Sequence, residues 1–422
     1  IARAALPGAP SPRRDLAALA LGLLGTIAAG NLGEIGTSFA DNILSLFVLG
    51  ALAILVLRAS ELTIAIAALA GAPLGLACGL KPTMFLYGAG LGLACLAAPA
   101  PWPRRFALAA ALSAGAIVGY AMTGGFWAVD LWQRFGNPMF PFFNDWFRSP
   151  FAAPEPHKNL VYLPRTRWDA ATLAFRFPFD ARLVGEVRFV DLRIPLLYAL
   201  AIAAVIFAPL ARRRLAEPPR PAAVLVLAML AGSYAAWVAM FAIYRYLIAL
   251  EMLAPLGVVL LLGLMGLDAR RTAGAAAALL ALCLVTLRVA GWGHVPWSDG
   301  RFGVEVPALA EPGRTMVVLP GTEPTAFVVP AFPRPVRFVR VSRWILDSPA
   351  PPTGLERLAY DAVARHEGPI FALFRASERA IAEQALTPRG LAIAPEGCKP
   401  LVVRAEANKR DGLEFCRVAR VP

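Results

Sequence analysis

Charge is scarce in this chain. Only 16% of its 422 residues are Asp, Glu, Lys or Arg, against about 25% in ordinary soluble domains. Histidine is scarcer: His157, His294 and His366 lie far apart in sequence, so they give no metal-ligand spacing. The five cysteines form no CxxC pair, which removes zinc-ribbon and dithiol redox readings. Cys78, Cys95 and Cys283 sit in apolar runs and read as small core residues. No cleavable signal peptide, internal repeat or low-complexity tract stands out beyond an Ala/Leu bias. Acidic residues are also few, 28 against 41 Lys and Arg, leaving a net charge of +13.

What fills the chain instead is apolar. Hydrophobic residues make up 58% of it, and the mean hydropathy is +0.60. A soluble domain is about 45–50% apolar, so the composition predicts a polytopic α-helical membrane protein. About nine spans are visible, near residues 16–32, 43–57, 62–80, 83–99, 106–123, 194–211, 221–243, 249–267 and 273–291, most of them approaching the ~20 residues that cross a bilayer. Arg13-Arg14, Arg58, Arg104-Arg105, Arg212-Arg213-Arg214 with Arg220, and Arg270-Arg271 occupy alternate connections. Basic connections mark the cytoplasmic side. The excess of positive charge therefore belongs to topology, and no nucleic-acid partner is expected.

From residue 293 the composition changes. Residues 292–422 carry 17 Lys/Arg and 14 Asp/Glu, with short β-like runs at 316–319, 326–329, 336–341, 370–374, 391–394 and 401–403. Helix-like stretches at 355–366 and 377–385 lie among them. The expected organisation is a membrane domain over 1–292, with a long outer loop at 124–193, and a small outer-side (periplasmic) α/β extramembrane domain over 293–422. An oxidising outer compartment permits a Cys398–Cys416 disulfide, and two free thiols fit the sequence equally well.

Six charges are left once topology and the long loop are set aside: Glu34, Asp41, Lys81, Arg245, Glu251 and Arg288. All fall near outer ends of spans. A charge at membrane depth is costly and usually faces a wet cavity or a partner. Arg288 beside Trp292 reads as a snorkelling anchor. Lys81 before Pro82 fits a turn, and Glu34 and Asp41 fit a solvated loop. "YRYLIALE" (Tyr244–Glu251) reads either as an ion pair holding a hairpin or as an anion site, since Arg matches phosphate oxygens bidentately. Convergence of these groups on one cavity is the sharper expectation.

The segment 124–193 is long for a structureless loop. "FWAVDLWQRF" alternates rings with Asp130 and Arg134 and reads as a helix lying on the membrane surface. "GNPMFPFFNDWF" (Gly136–Phe147) follows. Pro138 and Pro141 prevent a regular helix, while its rings demand apolar surroundings. The expected form is a compact loop that roofs the pocket, with Phe140 and Phe142 on the interface and Asn137, Asn144 or Asp145 facing inward. An aromatic belt anchor is the simpler alternative.

With "GEIGTSFAD", "LKPT", "GNPMFPFFN" and "YRYLIALE" in this layout, the chain resembles bacterial members of the GT-C superfamily, across roughly residues 16–292. These are membrane glycosyltransferases that use polyprenyl-phosphate-linked sugars on the outer face. The resemblance implies an inverting hexosyl or pentosyl transfer to an envelope glycan, lipid or protein acceptor, in the bacterial inner membrane. It implies Asp41 or Glu34 as catalytic acid residue, Lys81 and Arg245 with Tyr244 and Tyr246 on the carrier phosphate, and Glu251 orienting Arg245. No metal ligands are assigned, although a divalent metal serves some members. The family places its acid in a longer first loop, and the chain starts at Ile1, so two sources of the acid stay open: Asp41 or Glu34 in the visible loop, or N-terminal helices that precede Ile1. Two other classes remain: a transporter or flippase of lipid-linked precursors, and a non-catalytic membrane scaffold.

Overall fold

The computed structural model describes residues 1–211, 218–293, 302–341, 352–406 and 411–421. The Arg212–Arg214 connection and His294 lie outside the described residues. The chain forms two units. One comprises Ile1–Trp127 with Asn159–His294, the other Ala128–Lys158 with Val295–Pro422. A boundary drawn at residue 292 takes no account of Ala128–Lys158, which cluster with the C-terminal residues.

The first unit is helical: α1 Ala2–Ala5, α2 Pro12–Thr26, α3 Ala29–Gly33, α4 Asp41–Leu57, α5 Ile64–Leu80, α6 Phe85–Leu96 and α7 Trp102–Thr123. The second unit begins within α8, Gly125–Phe135, and includes the single turn α9, Asn144–Phe147. The first unit resumes with α10 Arg167–Arg176, α11 Arg193–Ala211, α12 Pro221–Met240, α13 Ile248–Leu264 and α14 Ala269–Thr286. Local chemistry sets several starts. Ser11, Thr63 and Asp268 cap α2, α5 and α14 by accepting from a backbone N–H three residues on.

Each of the nine apolar runs is helical. Among the described residues, four helices are long and apolar enough to cross a membrane: Trp102–Thr123, Pro221–Met240, Tyr244–Leu264 and Ala269–Thr286. Asp41–Leu57, Ile64–Leu80, Pro82–Leu96 and Arg193–Phe207 are shorter apolar helices. These helices mark the chain as membrane-associated. α13 forms the heart of the unit, buried on nearly every side, with α2, α4, α11, α12 and α14 against it. α5 and α7 approach until their backbones touch. A Cβ on Gly75 would lie 1.9 Å from the Ala116 carbonyl oxygen, and one on Gly115 1.8 Å from that of Ala68. Gly71/Gly75 and Gly115/Gly119 thus form the small-residue stripes, four apart, that let apolar helices pack closely.

The run at 16–32 is not one helix. α2 ends at Thr26, and α3 starts afresh at Ala29. The break exists because two buried carboxylates take the first amides of α3, as described below.

The second unit carries a six-stranded sheet: β1 Val304–Glu305, β2 Met316–Leu319, β3 Arg337–Arg340, β4 Ile370–Arg375, β5 Leu391–Val403 and β6 Leu413–Arg420. Their spatial order is β1-β5-β6-β4-β2-β3, with β3, β2 and β4 parallel and the rest antiparallel. Side chains alternate between two buried faces: Val318, Ala372 and Cys416 on one, Val317, Leu373 and Phe415 on the other. Two helices accompany the sheet, α15 Gly354–Ala364 and α16 Arg379–Leu386. Thr353 and Glu356 start α15 with a reciprocal capping box. The run 326–329 is not a strand. It lies in a 3-10 turn, Ala326–Ala331, which contains Pro330; proline has no N–H to give a ladder. The runs at 391–394 and 401–403 belong to one strand, β5.

Cys398 and Cys416 face each other across β5 and β6 and are joined by a disulfide. Unfolded without reductant, the protein is therefore expected to take up thiol label at three cysteines, Cys78, Cys95 and Cys283. After reduction it should take up label at all five. Five labelled residues before reduction would rule the bridge out.

Candidate functional site

Four charged residues meet at one end of the helical unit. Asp41 is the first residue of α4 and is fully buried. Lys81 follows the last turn of α5, where Pro82 opens a new turn and the backbone is extended. That geometry turns the lysine back toward α4. Its ammonium donates to both Asp41 oxygens at 2.6 Å and to the Phe39 carbonyl at 2.8 Å. Glu34, just past α3, lies beside this pair, and neither of its oxygens receives a donor among the described residues.

A buried carboxyl with no donor is unfavourable as an anion. Burial, and then the adjacent Asp41 charge, push the Glu34 carboxyl up to about 9 from an ordinary 4.5; Lys81 and Arg245 oppose the shift. At neutral pH Glu34 therefore holds a proton and donates it to Asp41. The folded state keeps that proton where the unfolded chain releases it. The stability tied to protonated Glu34 is full below about pH 4.5 and is lost as pH rises through about 9. Glu34→Gln stays neutral, so its melting temperature should fall less than the wild type's over that interval. Parallel melting curves would show that Glu34 is not the titrating group.

Arg245 comes from the turn Tyr244–Leu247 that leads into α13. Its guanidinium lies over the Phe39 ring at 4.3 Å, with Tyr246 at 5.3 Å and Trp292 at 5.9 Å. The only ion partner among the described residues is the part-exposed Glu186, at 3.7 Å. The Lys81 ammonium sits 5.4 Å from the Tyr246 ring centre. One ring thus carries both cations. Tyr244 is buried, its ring tilted 34° against Phe189 with centres 4.1 Å apart.

Beside this cluster runs a cleft of about 20 Å³, lined by Glu34, Glu186, Tyr244, Arg245, Ala290 and Trp292, among others. That volume holds about one water, so a phosphate enters only if its walls move. Two lining donors, Arg245 Nε and Trp292 Nε1, are buried and meet no acceptor among the described residues. Buried N–H groups without acceptors are rare. Here they give the cleft the chemistry of an anion receptor.

Sequence reasoning erred on Glu251. It does not touch Arg245. It is fully buried on α13, and its carboxylate accepts from the Gly30 and Asn31 amides at 3.2 and 3.1 Å. It caps the N-terminus of α3 by taking two amides that have no partner within the helix. The sequence reading passed over its companions. Asp191, fully buried, accepts from the Ala29 amide at 3.0 Å and from Arg193 Nη1 at 2.6 Å. Arg193 in turn donates to the Ile27 carbonyl. These carboxylates hold α3, and thereby Glu34, against the cluster. Asn42 donates to the Asn31 carbonyl at 2.8 Å and ties α3 to α4. Arg288 pairs with Val190 through its backbone.

The Gly136–Phe147 loop belongs to the second unit. Asn137 and Asn144 do not present free amides to a pocket. Asn137 bonds the Phe142 carbonyl and the Met139 amide. Asn144 donates to the carbonyls of Ser149, Ala152 and Ala153 and accepts from the Ser149 amide. A loop without regular structure must still pair the backbone groups on its inner side, and these two buried side chains do so. Phe140 stacks on Phe135 at 4.2 Å rather than facing outward. Phe142 is exposed, and Asp145 is half-buried.

Among the described residues, one grouping of metal-capable side chains occurs, Cys398, Glu414 and Cys416, and its two cysteines form the disulfide. Comparison of the chain with protein-family models, curated proteins and solved structures finds no match.

Proposed function

We propose that this chain is a membrane glycosyltransferase of the GT-C type, moving a sugar from a polyprenyl-phosphate carrier to a cell-envelope acceptor. The observation that carries the reading is the meeting of Glu34, Asp41, Lys81 and Arg245, from three separate connections, beside a cleft with two unanswered N–H donors. Sugar transfer from a phosphate needs two things at close quarters. A base must take the acceptor hydroxyl's proton, and a cation must meet the charge growing on the departing phosphate.

Asp41, held as a carboxylate by Lys81, is the base. Arg245 offers its fork to the phosphate, and Trp292 adds an indole N–H. Glu34 keeps a proton next to Asp41. Tyr246 supports both cations through its ring. In this reading all nine apolar runs, the broken one at 16–32 included, cross the bacterial inner membrane. The Arg-rich connections face the cytoplasm, and the cluster and the sheet unit face the periplasm.

The test is an assay in membranes with a sugar-linked polyprenyl phosphate. The transferase reading expects the donor to be consumed and free polyprenyl phosphate to appear, and expects neither with Asp41→Asn. A carrier bound or moved but never cleaved would replace the transferase with a flippase.

A further inference from the structure

The second unit displays a face that the proposed chemistry does not use. Val129 and Trp132 lie about 60° apart on α8, since each residue advances the helix by about 100°. Both are more than half exposed. Phe147 meets Trp132 edge-on, ring centres 6.3 Å apart, and so continues the face into the loop. Phe142, Phe143 and Trp146 are exposed on that loop, Trp146 at 85%. Leu131 is buried and Phe135 packs on Phe140 and Phe151, so another side of α8 is already covered. A third sector, roughly 100–140° from Val129, carries the Asp130–Arg134 ion pair at 2.8 Å. The helix therefore has a packed side, a charged side and an unpartnered apolar side.

We infer that the apolar side of Val129 and Trp132, with the rings of the Gly136–Phe147 loop, docks on the lipid bilayer at its water interface. Two observations select lipid as the occupant. α8 follows α7 with Gly124 as the one residue between them, and α7 is a 22-residue apolar helix of membrane-crossing length. The first turn of α8 is thus tied to the level where that span ends. The ring types agree: Trp prefers the zone where its apolar body meets lipid tails and its N–H stays wet, and Phe adds apolar surface to an interfacial face. The loop's internal bonds serve the same end. Asn137 and Asn144 satisfy its backbone from inside, so the rings can enter the interface without dragging unpaired carbonyls into it.

The test uses the full-length protein in phosphatidylcholine vesicles. Trp146→Cys carries an environment-sensitive fluorophore, Trp132→Cys repeats the measurement on α8, and Arg365→Cys, just past α15, serves as the aqueous reference. Both positions are more than half exposed; Trp146→Cys removes no ring contact among the described residues, and Trp132→Cys loses the edge contact with Phe147. Lipid docking predicts blue-shifted emission at both sites relative to Arg365→Cys, quenching by nitroxide lipids labelled near the headgroup, and protection from iodide. Emission and iodide quenching like the reference would overturn the inference. Protection from iodide without quenching by nitroxide lipid would overturn it too, and would give the face to a second copy or another protein.

Discussion

Lys81→Met is expected to destabilise the folded protein by about 3–5 kcal/mol, the usual cost of stranding one member of a buried ion pair. Asp41 is fully buried and takes both of its close donors from the same ammonium. Without it, the carboxylate keeps only its contact with protonated Glu34. The pair itself is a poor source of stability, because both charges lose their water on folding. Replacing the two together, Lys81→Met with Asp41→Leu, should therefore recover most of the loss. Denaturant or thermal unfolding in detergent measures both. Equal damage in the single and double variants would mean that the ion pair is not what the site costs. A recovered fold with no transfer would separate the pair's chemical role from its structural one.

Asp41→Asn should reduce sugar transfer by about 10²–10⁴-fold, the range for losing a positioned general base. The amide keeps the shape and still accepts from Lys81, so carrier binding should persist. This outcome distinguishes a base from a group that merely holds the lysine. If Asp41 only anchored Lys81, the variant would lose binding and transfer together. Assaying donor consumption and carrier affinity on the same preparation resolves the two.

Much of the architecture was legible because hydrophobic runs and charge speak directly. Eight of the nine apolar runs each hold one main helix and the run at 16–32 holds two, and the charges left over after topology include the four that meet beside the cleft. Lys81 and Arg245 could be singled out because so little else in their segments is polar. The partners of Glu251 could not. It binds amides some 220 residues away in sequence, and no local pattern announces such a contact. Its neighbour Arg245, six residues earlier, was the plausible wrong answer. Asp191 and Arg193 were hidden differently. They sit among many charges of a long polar segment, and the one available signal was an Asp two residues before an Arg at the edge of an apolar run. In the loop, Asn137 and Asn144 looked like pocket groups because buried asparagines are usually functional or structural, and sequence does not show which carbonyls need donors. The 3-10 turn at Ala326–Ala331 was misread as a strand because apolar residues over so short a run fit either form.

The central claim is that the Arg245 cleft receives the phosphate of a lipid carrier. Binding of polyprenyl phosphate to the purified protein tests it most directly, with wild type compared with Arg245→Lys and Arg245→Ala. Arg245 has one loose ion partner, so folding should change by only about 1 kcal/mol. Losing the guanidinium from a desolvated phosphate contact should weaken binding by about 2–5 kcal/mol, roughly 30-fold or more. Arg245→Lys keeps the charge without the fork and should fall between the two. Unchanged affinity in Arg245→Ala, with the protein folded, would contradict the account.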